Sequence, residues 1–429
     1  MPFQQAFLAS AGFGIELGAY LLKLLITALG FYLMLSPEFG FCEGETSSEG
    51  LSGIGSWMEK MNIAGSFDYE TYQYPETPLF PGQIEQNHAL RLDFRSEVSI
   101  GENWRAAIAP FARYDFMDDR QNTIRLNEAW VEYSTENWDF RIGNQIFTWG
   151  QMESVNRIDV LNPRDFRDDV IEPSKIGIPA ALFRWKFDNS DISAYSIPYY
   201  IPDSFPGPDN FYSLSGGAPI REPAERFEDQ WAIRYFYAGD GFDFALSWAN
   251  VIERLPIFDM NEAGTKLIGT PYKSNRLGFE FTKVIESLIV KGEGFYRFPE
   301  TELLAPGFFY TAGLEYTFPA IVGLSDLTLF TEYFGKVGDG QVRFQILENS
   351  LFTGFRLTVN DLARQEFEVG AINNFKPAGT WLVRARYARD IVEQLRFEVT
   401  YTDSFGFFVF PDQDEDGDGA FRVRLRYSF

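Results

Sequence analysis

The sequence has one cysteine and one histidine among 429 residues. Zinc, haem and iron–sulfur centres are held by clusters of such side chains, so their usual ligand sets are excluded. A disulfide framework is excluded with them. Walker and dinucleotide fingerprints are missing at the strand–turn–helix positions where a phosphate would be cradled. Positive charge is scarce too. The formal net charge is -24, a phosphate backbone would be repelled, and no nucleic-acid partner is expected. Only one long apolar run occurs and the mean hydropathy is -0.18, which excludes a polytopic helical membrane protein. A large soluble β protein or a transmembrane β-barrel remains.

The single apolar run lies near the N-terminus, from Leu24 to Leu35, with Lys23 before it and Ser36-Pro37 after it. At about a dozen residues it falls short of the roughly 20 that span a bilayer as a helix. It reads as the core of a secretory signal peptide over residues 1–44, with Cys42 and Gly44 as the small residues of the cleavage site. A lipobox at Cys42 would need a small residue where Phe41 stands, and a retained helix through Leu17–Leu35 would have to carry Lys23. Residues 45–61 then form a short periplasmic segment ahead of a barrel over 62–429.

Beyond residue 60 the period is two. In 90–100, Leu90, Leu92, Phe94, Val98 and Ile100 share one face, and Arg91, Asp93, Arg95 and Glu97 the other. The last residues alternate likewise, Phe421, Val423, Leu425, Tyr427 and Phe429 against Arg422, Arg424 and Arg426. Strand side chains alternate between faces, so each segment sets an apolar row against a charged one. Comparable runs give about 18 strands of the 9–11 residues that a tilted transmembrane strand needs. Among them are 62–74, 104–117, 138–148, 178–187 and 394–404. Short turns such as 101–103, 135–137, 188–190 and 239–241 alternate with long polar connections at 75–87, 149–177, 200–226, 253–273 and 405–419. That rhythm predicts an all-β transmembrane antiparallel barrel with short periplasmic turns and long extracellular loops. Trp104, Trp138 and Phe242 start strands after short turns and, with Phe318 and Tyr427, form an interfacial girdle.

Two resemblances agree with this. The alternating end at Tyr427 and Phe429 resembles the C-terminal signature of Gram-negative barrels, which implies recognition by the membrane-insertion machinery through Phe429. Gly143-x-Gln145 with Trp149-Gly150, then Asp159-x-Leu161-Asn162-Pro163-Arg164-Asp165, is similar to a family of proteobacterial outer-membrane barrels of unknown function. It is more loosely similar to alginate-export and porin-type barrels. The resemblance implies an integral protein of the Gram-negative outer membrane, among its lipids and lipopolysaccharide. It also implies periplasmic exporter components of an RND-linked route as partners.

Three groups of residues are candidates for function. With apolar faces toward lipid, the lumen collects Arg91, Asp93, Arg95, Glu97, Arg384, Arg386, Arg396, Arg422, Arg424 and Arg426. Charge at the lipid midplane would cost about 2–4 kcal/mol per residue, so this partition is forced. The rows read as a salt-bridge ladder bracing the wall or as a polar conduit for anionic solutes, and the two overlap. If the first strand meets the last, Arg422 and Arg424 lie beside Asp68 and Glu70. Connection 149–177, with Trp149, Asp159, Asn162, Arg164 and Asp165, is either a constriction or an external loop. Asp412, Asp414, Asp416 and Asp418 match the start of a calcium loop without its closing glutamate, and otherwise form a solvated acidic tip. No other cofactor is expected.

No catalytic residue is assigned. His88 is the only imidazole, and Ser96 and Ser99 of the same strand are too far along it for a hydrogen bond. The expected function is an outer-membrane channel or conduit for small polar, anionic or amphiphilic molecules. The alternative is a plugged structural or surface-interaction barrel.

Overall fold

The computed structural model describes residues 62–429 except 76–81, 168, 212, 214–219, 222, 339–346, 377 and 406–418. Contacts separate Met1–Lys60 from Met61–Phe429. The signal-peptide region and the calcium run Asp412, Asp414, Asp416 and Asp418 lie outside the described residues.

The second unit is built on one closed sheet of 18 strands. They are β1 Ile63–Gln73, β2 Gln86–Ile100, β3 Trp104–Asp115, β4 Thr123–Ser134, β5 Trp138–Gln145 and β6 Ile178–Lys186. Next come β7 Ser190–Tyr200, β8 Arg226–Gly239, β9 Phe242–Ile252, β10 Lys273–Ile285, β11 Leu288–Pro299 and β12 Gly307–Val322. The ring ends with β13 Ser325–Val337, β14 Ser350–Val359, β15 Gln365–Phe375, β16 Ala378–Val392, β17 Leu395–Phe405 and β18 Ala420–Ser428. Each strand pairs antiparallel with the next, and β18 pairs with β1. Closure leaves no open edge, which a sheet in hydrocarbon requires.

The alternation decides which face is which. Ile108, Ile124, Ile142, Ile233, Leu246, Leu277 and Leu314 are exposed on the outer face, where lipid would cover them. Asp68, Glu70, Glu132, Glu280, Glu293 and Glu332 are buried on the inner one. Aromatic rings follow one another at the short-turn end, Trp104 on Tyr133 at 4.9 Å, Tyr133 on Trp138 at 5.5 Å and Trp138 on Phe183 at 6.0 Å.

Some boundaries depart from the sequence expectation. β5 stops at Gln145 and not at 148, because the Phe147 N–H leaves the ladder to donate to Asn162 Oδ1 at 2.7 Å. β2 starts earlier, at Gln86, since its ladder with β1 runs on to the Gln73–Gln86 pair. The long-loop end also has three short connections, 116–122, 300–306 and 376–377.

The closing seam brings Arg424 beside Glu70 at 2.5 Å and Asp68 at 3.9 Å, as expected, while Arg422 stands opposite Tyr72 and Arg426 takes the place opposite Asp68. Only the hydrogen-bonded register fixes this, because a two-residue slip keeps every side chain on its face. Arg426 Nη2 lies 2.8 Å from Asp68 Oδ2, and Arg424 Nε lies 2.6 Å from Glu70 Oε1. Phe429 extends the seam by exchanging backbone hydrogen bonds of 3.0 Å with Gly65. Residue 65 must be glycine, as a Cβ there would sit 2.7 Å from the Phe429 ring and 2.6 Å from Asp93 O.

Glu70 also meets Arg113 at 3.4 Å, and neither side chain sees water. Removing one partner of such a pair costs about 3–5 kcal/mol. We expect Glu70→Ala to lower stability by that amount, whereas Glu97→Ala, among half-exposed arginines, costs under about 1 kcal/mol. Urea unfolding of the refolded chain in detergent compares them, and equal losses would contradict a seam locked at Glu70.

Candidate functional site

The connection from β5 to β6, residues 146–177, turns into the lumen. Its neck is tied by Asn162, whose Nδ2 donates to Gln145 O and Ile176 O at 2.9 Å each while its Oδ1 takes the Phe147 N–H. Lys175 Nζ closes the neck on Phe147 O at 2.7 Å and on Asp159 at 2.6 Å. Within the loop, Arg164–Asp165 pairs antiparallel with Ser174–Lys175.

One side of this plug is apolar. Phe147, Trp149, Ile158, Val160 and Leu161 form a buried cluster with Ile178, Ala180 and Leu182 of β6, Tyr195 and Ile197 of β7, and Ala232, Ala249 and Val251 of β8 and β9. Apart from Tyr195 the wall residues there are small or branched, and they leave room for the rings: Phe147 and Trp149 both meet Tyr195 edge-on, at 5.0 and 5.6 Å. Burying each large apolar side chain contributes about 1.5–3 kcal/mol. Further across, Val155 and Ile171 pack on Phe334, Ile372 and Leu382 of β13, β15 and β16.

The other side is held by buried carboxylates of the wall. Glu280 of β10 accepts the Gly150 N–H at 2.8 Å, Glu293 of β11 accepts that of Arg157, and Glu332 of β13 accepts those of Glu153 at 2.6 Å and Ser154 at 3.2 Å. Each such hydrogen bond contributes about 0.5–1.5 kcal/mol. The plug's own Glu153 reaches Lys291 of β11 at 3.0 Å and Arg356 of β14 at 3.1 Å. Burial opposes the Glu153 charge, yet Lys291 and then Arg356 outweigh it and hold its pKa below the usual carboxylate value. Burial pushes the Arg157 guanidinium down to about 10, against the pull of Glu293; the group stays charged at neutral pH and donates to Gly335 O at 3.1 Å.

A third anchor is Asp169. Its Oδ2 accepts from Arg384 at 3.0 Å and Arg422 at 2.8 Å, and its Oδ1 from the N–H groups of Ile171 and Glu172 at 2.9 and 3.1 Å. Burial works against this carboxylate, but the two arginines and the two amides hold its pKa far below the ordinary value. The tie is therefore at full strength at neutral pH and fades only as pH falls below about 4.

Phe166 of the plug stacks on Phe205 at 5.4 Å, and Phe205 meets Phe258 at 5.6 Å. These rings belong to a cluster with Leu267 and Ile220, on the small sheet of Ile220–Arg221, Leu267–Thr270 and Ile257–Met260. Toward the short turns the lumen opens. Along β18 the side-chain exposure rises from 8% at Arg422 through 14% at Arg424 to 36% at Arg426. On β3 it rises from 2% at Arg113 to 43% at Arg105. A water-accessible vestibule thus leads up to the underside of the plug.

The lumen residues singled out in the sequence are ion-paired. Arg91 meets Asp93 at 2.6 Å, Arg95 meets Glu97 at 3.0 Å, and Arg396 meets Asp390 at 2.9 Å. Arg386 joins Glu366, Glu368 and Glu398. Trp149, Asp159, Asn162, Arg164 and Asp165 fold the plug. Asp159 pairs with Arg164 at 3.2 Å, and Asp165 pairs with Arg125 of β4 and with Arg167 at 2.8 Å. Glu293 and Asp169 were not foreseen as anchors. Glu293 had a signal, standing in phase with Lys291 between the outward glycines Gly292 and Gly294; Asp169, in an irregular loop, had none. His88 Nδ1 lies 3.0 Å from the Tyr69 hydroxyl, with the rings stacked. Among the described residues no group of three His, Cys, Asp or Glu side chains is placed to hold a metal.

Gly150 is where the plug is most exacting. Its φ is +84° and a Cβ would lie 2.5 Å from both Glu293 Oε2 and Asn156 Oδ1. Gly150→Val should unseat the loop without opening the wall. Trypsin should then cut at Arg157 or Arg164 roughly tenfold faster or more, the effect of about 1.4 kcal/mol of lost seating. An unchanged cleavage rate in a folded variant would contradict this seat.

Residues 102–371, which include the whole plug, match a family described as protein of unknown function (DUF1302). No curated protein matches the sequence. Among solved structures, Pseudomonas aeruginosa OccK3 (OpdO) is similar over 87% of this chain and 97% of its own, at 9% identity and a TM-score of 0.51. OccK11 (OpdR) of the same organism is similar over 86% and 94%, at 9% identity and a TM-score of 0.50. Wzi of Escherichia coli, an outer membrane protein involved in group 1 capsule assembly and a carbohydrate-binding β-barrel, is similar over 90% of both chains at 12% identity and a TM-score of 0.49. At these identities the likeness to the two Pseudomonas barrels shows the fold alone, that of outer-membrane barrels.

Proposed function

The chain belongs to this family of unknown function, and from that premise we propose a gated conduit of the Gram-negative outer membrane for small polar, anionic or amphiphilic molecules. One observation carries the reading: the β5–β6 loop fills the long-loop half of the lumen, while the arginines of the other half remain accessible to water. A barrel of this strand number encloses more space than its wall side chains occupy. A plug seated by hydrogen bonds and ion pairs can leave that space with every strand-to-strand pairing of the wall intact. In this reading the long loops face outward and the vestibule faces the periplasm, where exporter components of an RND-linked route would deliver the solute. The apolar wall of β6–β9 and the Arg-rich β16–β18 together suit a solute with an apolar body and an anionic group.

The aromatic cluster of Phe166, Phe205 and Phe258 favours a second reading, a permanently closed barrel that acts through its surface loops. Planar-bilayer conductance separates the two. The refolded full chain should conduct weakly, and a variant lacking 151–175 should give stable ohmic steps several-fold larger. A folded deletion variant that stays silent would leave the closed barrel.

A further inference from the structure

Under the plug, between β1, β16 and β18, lies a cavity of about 30 Å³ lined by Arg113, Arg167, Arg384, Arg422 and Asp169. Among the described lining residues four guanidinium groups thus face a single carboxylate, that of Asp169. The arginines have partners behind the cavity: Arg113 meets Glu70 at 3.4 Å, Arg167 meets Asp165 at 2.8 Å and Arg422 meets Glu398 at 3.0 Å. Those partners hold the guanidinium planes in place. In two of these lining arginines, Arg384 Nη1 and Arg422 Nε are buried with no acceptor among the described residues. Asn87, Tyr72, Thr400 and Thr402 complete the lining with further polar groups.

We propose that Arg384 and Arg422 form a recognition site for the carboxylate group of a small solute, and that Asp169 is a tethered occupant which such a solute displaces. Two facts support competition in place of side-by-side binding. A space of about 30 Å³ holds little more than one or two waters, so a carboxylate ligand fits only where the Asp169 carboxylate now sits. Arginine forks match a carboxylate geometrically, and Asp169 presents only one oxygen to the two of them, leaving donors for a bidentate ligand. Displacement also frees the 166–172 stretch from the wall, which couples occupancy to release of the plug. The vestibule gives a path, since exposure along β18 falls continuously from Arg426 to Arg422. This inference rests on the gated-conduit reading only for that coupling; the site itself stands or falls by binding.

Calorimetric titration of the purified full chain in detergent with sodium acetate, at fixed ionic strength, tests the site. Asp169→Asn keeps a side-chain oxygen for the Ile171 and Glu172 amides but removes the competing charge. It should bind acetate roughly tenfold more tightly than the unaltered chain. Adding Arg384→Gln to that variant should remove the gain, whereas adding Arg396→Gln, at the far end of the lumen, should leave it. Asp169→Asn without any gain, or a gain that survives Arg384→Gln, would overturn the site. Displacement of acetate by an equal concentration of chloride would overturn carboxylate recognition. In the unaltered chain acetate should speed trypsin cleavage at Arg164 and Arg167; binding without faster cleavage would overturn the coupling to the plug and leave the site standing.

Discussion

A carboxylate shut away from water must find donors, and Glu280, Glu293 and Glu332 find theirs on the backbone of the loop that crosses the lumen. This constraint orders much of the rest. The wall of β10, β11 and β13 can keep three acidic side chains buried because the plug brings N–H groups to them, and the plug can leave the sheet because those carboxylates replace its ladder. The plug has few regular hydrogen bonds of its own, so its shape is set by the wall it touches.

The bilayer imposes the complementary constraint outside. Charge is expelled from the lipid face, and in a chain of 37 basic and 61 acidic residues the inner face becomes a dense ladder of ion pairs. Pairing alone would brace the wall and leave the lumen wet throughout. The apolar patch on β6–β9 breaks that uniformity, and the plug lies over it. One loop therefore answers two local problems, an apolar inner wall on one side and excess buried carboxylate on the other.

The strands were legible in the sequence because their period is local: Leu90 to Ile100 declares both faces without reference to any neighbour. The inward direction of Arg384, Arg422 and Arg424 was legible for the same reason. The seam was legible only in part, since alternation is blind to a slip of two residues and only the Asp68–Arg426 pairing fixes the register. Loop 149–177 stood out by its length, its Trp149-Gly150 step and its resemblance to a known family. Its placement inside the lumen was open, because the partners that draw it in lie more than a hundred residues away, as Gly150 and Glu280 or Glu153 and Glu332 do. Asp169 illustrates the limit: one aspartate among several in a charged loop becomes an anchor only when Arg384 and Arg422 are brought to it.

The central claim is that wall carboxylates hold the plug through its backbone. Hydrogen–deuterium exchange of the folded chain in detergent reads those amides directly. Gly150, Glu153, Ser154 and Arg157 should exchange as slowly as amides of β10 and β11, and Glu332→Gln should speed Glu153 and Ser154 selectively. Exchange of all four at the rate of an open loop, in a chain whose strands remain protected, would contradict the account.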